Sequence, residues 1–232
     1  QADALRKTVP GTGAEFKFLR LRGSIHVSHG RLDEAEADLR QARAIAAAIG
    51  DTTSQLVALQ QLVWIAIFRS RLDASSPDLQ AHLQLAEHES HSQFVPRARV
   101  SQAQVLQQAG KHREALAALE AALVPIRASR DLTFELHAVQ LHARSALALG
   151  LTETARADTD VLLSIFSSST VLNYGVLPAA YGLVDVCFGL LERAQPLLRA
   201  QRRAQLMRAL AVLARLARHH RLAQPAALRS QA

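Results

Sequence analysis

Three glycines place this chain on a fixed period. Gly30, Gly110 and Gly150 fall on a 40-residue grid, with Ser70 at the remaining point, and Asp51 and Asp131 lie 80 apart. After Gly30, the residues Leu32, Ala35, Leu39, Ala42 and Ile45 recur at three- and four-residue spacing, the period of one helix face. After Gly110, the residues Ala115, Leu119 and Ala122 hold the offsets of Ala35, Leu39 and Ala42. Each unit therefore reads as helix, tight turn and helix, with the aspartates as helix N-caps. A unit of this size cannot bury its apolar face alone; stacked copies can, and the result is an α-solenoid.

Composition agrees. The chain of 232 residues is 49% hydrophobic but 4% aromatic, rich in alanine and leucine, and poor in the β-branched and aromatic runs that suit strands. We expect an all-α chain with almost no sheet, forming a single solenoid over 1–232. One cysteine, Cys187, excludes an internal disulfide framework and fits a reducing, cytoplasmic setting. No signal peptide is visible at Gln1 to Pro10, and the nearest approach to an uncharged apolar run of about 18 residues, Val171 to Leu191, is interrupted by Asp185. Ala2 and Leu5 lie 40 residues before Ala42 and Ile45, and the C-terminal QPAALRSQA places Pro225 at a first helical position without completing a helix. A fragment of a longer protein is expected.

In chain order the spacing predicts helices over 15–29, 31–49 and 52–70. A lengthened turn of about four extra residues follows, before a cap and first-turn proline at Ser76-Pro77-Asp78. Further helices are predicted over 93–109, 111–129, 132–149 and 152–167, and Pro125 is expected to kink or tighten the last turns of its helix. A serine-rich break at 167–170 precedes a longer, divergent, arginine-rich pair in 171–232, with helices over 171–191 and 194–220.

Leu19, Gly23, Gly30, Leu32, Ala35, Leu39, Ala42 and Ile45, with Ala103, Gly110, Ala115, Leu119 and Ala122 in the third unit, carry a specific resemblance. They fall where the tetratricopeptide repeat places its large and small packing residues and its turn. Over 14–165 the chain resembles that family. Its longer units are also similar in style to the divergent repeats of large bacterial signalling proteins, LuxR-type transcription regulators and multidomain signalling ATPases. The resemblance implies a right-handed α-α superhelix of about five antiparallel helix pairs, acting as a non-catalytic scaffold that binds a protein or peptide partner on a concave face lined by the first helices. The matching positions are Lys17, Arg20 and Ser24; Gln60, Trp64 and Ile67; Arg97, Gln104 and Gln108; and His137, Gln140 and Arg144. This basic, amide-rich set suits an acidic or extended peptide. It lacks the asparagines of the family's carboxylate clamp. For Trp64, core packing and partner contact stand as equal readings. The resemblance to signalling proteins implies an alternative, an effector-sensing segment, and exposed solenoid ends would permit self-association.

Charge is uneven. From Arg193 onward there are nine arginines and no acidic residue, so residues 1–192, with 18 basic and 20 acidic side chains, carry −2 of the overall +7. Arg199, Arg202, Arg203, Arg208, Arg215 and Arg218 form a basic patch on the last helix. One reading is association with nucleic acid or an anionic membrane surface; the other is that arginine is a good helix former whose stem covers apolar surface. No aromatic residue interleaves these arginines, so base stacking is unsupported.

No motif argues for catalysis, a cofactor or a metal. His88, Glu89 and His91 form HExH, whose histidines are three apart rather than the four of a helical zinc-protease motif, with no third ligand. His219 and His220 point apart on a helix. Cys187, between Val186 and Phe188, reads as an inert buried thiol.

Overall fold

The computed structural model describes residues 12–169 and 173–224. The readings that rest on Ala2, Leu5, Thr170, Pro225 and Arg229 lie outside the described residues. Ten α-helices and no strand occur among them: α1 (Gly13–Ser28), α2 (Leu32–Ala48), α3 (Thr52–Phe68), α4 (Pro77–His88), α5 (Phe94–Gln108), α6 (His112–Ala128), α7 (Leu132–Ala148), α8 (Thr152–Ser168), α9 (Leu177–Glu192) and α10 (Arg199–Ala217). The chain divides into two compact units at Ala98/Arg99, within α5.

The period is finer than the glycines alone suggest. Gly30, Gly50, Gly110 and Gly150 have φ between 69° and 79°, and Ser70, Ser90 and Arg130 adopt the same left-handed region at 48° to 54°. A left-handed residue thus ends a helix every 20 residues from 30 to 150. At each one the next residue's N–H reaches back to the carbonyl five residues earlier, as Arg31 does to His26, Arg71 to Ala66 and Asp131 to Ile126. This closure satisfies carbonyls that a helix end leaves open. Glycine adopts this backbone without steric cost; serine and arginine do not. Arg130→Gly is therefore expected to stabilise the chain by about 0.5–1 kcal/mol, read as a higher unfolding midpoint.

The aspartate caps form as the spacing implies. Asp51 accepts from the Ser54 N–H at 2.9 Å and from its hydroxyl at 2.7 Å, and Asp131 accepts from the Phe134 N–H at 3.3 Å. The long turn after Ser70 adds nothing to the period. Because Ser90 keeps its place on the grid, α4 starts late, at Pro77, and spans 12 residues where α2 and α3 span 17. Helix α6 runs through Pro125 to Ala128, with the proline exposed in its last turn. The long final helix predicted over 194–220 is shorter: Pro196 forces Gln195 into an extended conformation (φ −62°, ψ 152°), a 3-10 turn follows, and α10 begins at Arg199.

In the first unit each helix packs on the next, α1 on α2, α2 on α3 and α3 on α4, and the first helices α1 and α3 also touch. Phe16, Leu19, Ala42, Ala46 and Ala58 form one buried cluster, and Leu56, Ala86 and Phe94 another. In the second unit the same succession runs from α6 to α10, with first helices α7 and α9 in contact and second helices α8 and α10 in contact. Ala143, Ala146, Ala155, Val186 and Leu190 form a buried cluster there. The alanines allow helix backbones to approach closely. Gly23 serves the same end: a Cβ there would lie 3.1 Å from Leu39 Cγ. The stretch Tyr174–Glu192 is the one described segment long and apolar enough to cross a membrane by length and composition, and 56% of it is buried in the protein, as a core helix is.

Candidate partner-binding surface

The residues expected on the first-helix face divide by burial. In the first unit Lys17 is exposed and Arg20 and Ser24 are half-buried. Ser24 is tied down: its hydroxyl donates to the Arg20 carbonyl at 3.0 Å and accepts from Gln61 Nε2 at 2.8 Å. Ile67 is half-exposed, but Gln60 and Trp64 are 5% and 4% exposed. The Trp64 ring lies 6.3 Å from that of Phe68, close to parallel, so of its two readings the core one describes its position. The Arg97 guanidinium sits over the Phe94 ring at 4.9 Å.

In the second unit Gln108 and Arg144 are exposed, Gln104 is half-buried, and His137 and Gln140 are buried. Burial alone pushes the His137 imidazole down to about 3, so it is neutral. The positions that bury Gln60, Trp64, His137 and Gln140 belong to α3 and α7, helices covered on several sides: α3 by α1, α2 and α4, and α7 by α6, α8 and α9. Their side chains fill helix interfaces rather than meet solvent. Eight of the twelve residues remain open or partly open to a partner.

On the last helix, Arg199, Arg203, Arg208 and Arg218 are exposed. Arg202 is buried and donates to Gln205 Oε1 at 2.8 Å, while Gln205 Nε2 donates to Asp160 Oδ1 at 2.8 Å, fastening α10 to α8. Arg215 is half-buried and donates to the Phe166 carbonyl at 2.6 Å. The basic patch is thus part structural clamp and part open surface. Elsewhere, Cys187 is buried, and burial pushes its thiol up to about 12, leaving it protonated. His88 and Glu89 are exposed at the end of α4, and the His91 ring meets the Phe94 ring edge-on at 4.8 Å. His219 is exposed and His220 buried.

Sequence reasoning missed a repeated polar link between paired helices. Arg22 on α1 holds Asp38 on α2 through two bonds of 2.7 and 2.6 Å, with His26 3.7 Å from the same carboxylate. His142 on α7 holds Asp158 on α8 at 2.6 Å, with Glu120 at 3.7 Å. The hydrogen bond to Asp158 raises the His142 pKa against the desolvation that lowers it. Arg22 and His142 are 120 residues apart, as are Asp38 and Asp158, which is three periods. The grid that located the turns would have located this pair. A second network lies where α2, α3 and α4 meet. Arg69 bonds to Glu36 and Asp33, and Arg40 bonds to Glu36 at 2.6 Å and Asp78 at 3.3 Å, beside a cleft of about 260 Å³.

Comparison with solved structures places the architecture. The chain is similar to a Podosopora anserina protein named as a kinesin light chain with nearly identical TPR-like repeats, at a TM-score of 0.50, 16% identity, and coverage of 93% of this chain and 97% of the other. A variant of that protein gives a TM-score of 0.54 at 15% identity, covering 89% of this chain and 99% of the other. No protein-family model matches the chain, and no curated protein matches it. The fold is a TPR-like helical-repeat solenoid.

Proposed function

We propose that this chain is a protein-interaction module that takes an acidic or extended partner segment on the exposed faces of its first helices. The observation that carries the reading is a contrast in how cations are used. Arg22, Arg40 and Arg69 are engaged by carboxylates of the chain itself. Lys17 and Arg20 on the first helix α1 and Arg144 on the first helix α7 form no ion pair with a described residue; Lys17 and Arg144 are exposed and act on Asp51 and Asp185 only through space, and Arg20 is half-buried. Cations that hold no ion pair within the chain favour carboxylates of a partner, and each charge-assisted bond contributes about 1.5–3 kcal/mol where the partner excludes water. TPR-like folds present such faces without catalytic machinery of their own, and a reduced cysteine accords with a cytoplasmic scaffold.

The test is capture of protein from source-cell lysate by the chain and by a Lys17→Ala, Arg20→Ala, Arg144→Ala variant, with circular dichroism as the folding control. Loss of about tenfold or more in capture of a specific protein is the expected result. Equal capture by both would remove the first-helix faces from the function, and so would recovery of nucleic acid alone, released by salt.

A further inference from the structure

We infer that the groove between second helices α8 and α10 is a separate docking site for an acidic amphipathic helix. It is a shallow cavity of about 420 Å³ whose walls include Leu163, Phe166 and Val212 and whose basic residues are Arg208, Arg215 and Arg218; no carboxylate lines it. It lies on the second helices, so it owes nothing to the first-helix faces discussed above.

Charge and spacing select the occupant. Arg208, Val212 and Arg215 stand at i, i+4 and i+7 on α10, and Arg218 follows at its C-cap, so the cations share one side of the helix. From Arg208 to Arg218 the row extends about 15 Å at the helical rise, too far for one carboxylate or phosphate to bridge. A linear partner with carboxylates about two turns apart and an apolar residue between them complements cation, valine, cation. Arg215 is held in place by the Phe166 carbonyl, which accepts a hydrogen bond without neutralising the charge, and its Nε has no acceptor. Arg208 and Arg218 are exposed and form no ion pair with a described residue. The last acidic side chain on α8, Asp160, is bound by Gln205 and Arg156. A single-stranded nucleic acid would seek aromatic faces on which to stack, and Phe166, at 1% exposed, offers none.

The probe is a fluorescein-labelled, helix-forming peptide with Glu at i, i+7 and i+10 and Leu at i+4, titrated by anisotropy against the full chain at low salt. Saturable binding is expected, weakened about tenfold or more by replacing Glu with Gln in the peptide, by Arg208→Ala with Arg218→Ala, and by Val212→Glu. Circular dichroism shows whether each variant is folded; the arginine pair is exposed, so that variant remains a fair test if Val212→Glu unfolds. The Lys17, Arg20, Arg144 variant should bind the peptide normally, which separates this site from the first-helix reading. Equal binding of the Gln peptide, or indifference to the arginine pair, would overturn the assignment. So would binding of single-stranded DNA or anionic vesicles through these arginines with no binding of the peptide.

Discussion

Gly182→Ala is expected to destabilise the second unit, although alanine is the better helix former by about 1 kcal/mol. A Cβ on Gly182 would lie 1.8 Å from Gln140 Oε1 and 2.8 Å from its Cδ. Gln140 is 2% exposed, so its amide has no solvent to move into. One turn pair further on, a Cβ at Gly189 would lie 2.7 Å from Leu147 Cδ2. Gly182 and Gly189 on α9 thus receive Gln140 and Leu147 of α7, seven residues apart on each helix, and the two backbones close on this seam. Overpacking of this kind costs about 1–3 kcal/mol, which outweighs the propensity gain. Urea denaturation of Gly182→Ala should show the loss, and Gln140→Ala in the same chain should recover much of it, with a coupling energy of about 1 kcal/mol or more. Gly13→Ala, where a new Cβ meets nothing within 4 Å, is the control and should be near neutral. A Gly182→Ala chain as stable as the parent would mean that α7 and α9 do not approach as described.

That seam also shows where sequence reading stops. Periodicity locates helices because turn chemistry is local: the glycines at 30, 50, 110 and 150 mark their own backbone, and Asp51 and Asp131 cap the residues three ahead. Ser70 fits through the grid rather than through its residue type. Ser90 and Arg130 do not announce a left-handed turn, since the stacked helices on either side impose it. The late start of α4 was legible in Pro77, a first-turn proline after Ser76; that the long turn shortens the helix and leaves Ser90 on the grid was not, because only the packing of the next helix fixes it. The first-helix face was legible as a set of positions but not as a surface. Gln60, His137 and Gln140 are polar, and polarity at a spacing that would face a groove reads as exposure; how far neighbouring helices cover α3 and α7 is set by their approach distance, which alanine and glycine positions such as Gly182 control. The last pair was misread for a local reason, the conformational demand of Pro196 on Gln195. The α8/α10 groove was half legible: the arginines were visible, but the sequence could not divide Arg202, clamped inward on Gln205, from Arg208 and Arg218.

Acidification from pH 7.5 to 4.5 is expected to destabilise both units, each through one buried histidine. His82 on α4 is fully buried with neither ring nitrogen hydrogen-bonded, its ring edge-on to Phe94 at 5.9 Å. Burial first, and then the charge of Arg97, push it down to about 3; burial does the same to His137 on α7. Both stay neutral in the folded chain while their unfolded counterparts protonate near pH 6.5, so the unfolded state binds more protons between pH 6.5 and 3. Stability is therefore fully present above 6.5 and falls as pH is lowered through that window. Two pH units below 6.5, each histidine accounts for about 2–3 kcal/mol. His142 has the opposite sign: its raised pKa supplies stability that is present below 6.5 and lost as pH rises through its folded value, so it offsets part of the acid loss in the second unit. Glu36 and Asp51, whose pKa values are lowered, withdraw their contributions below the ordinary carboxylate range, and Asp185, whose pKa burial raises, works with His142 against the acid loss in the second unit. Trp64, the one tryptophan, lies in the first unit with His82, so its fluorescence follows that unit while circular dichroism follows the whole chain. In His82→Leu the Trp64 transition should lose most of its dependence on pH between 6.5 and 4.5 and rise in stability at pH 4.5, since a charge that could not be housed is gone. A Trp64 transition that keeps the parent's pH slope would show that His82 reaches solvent or a partner in the folded chain, contrary to its placement beneath Phe94.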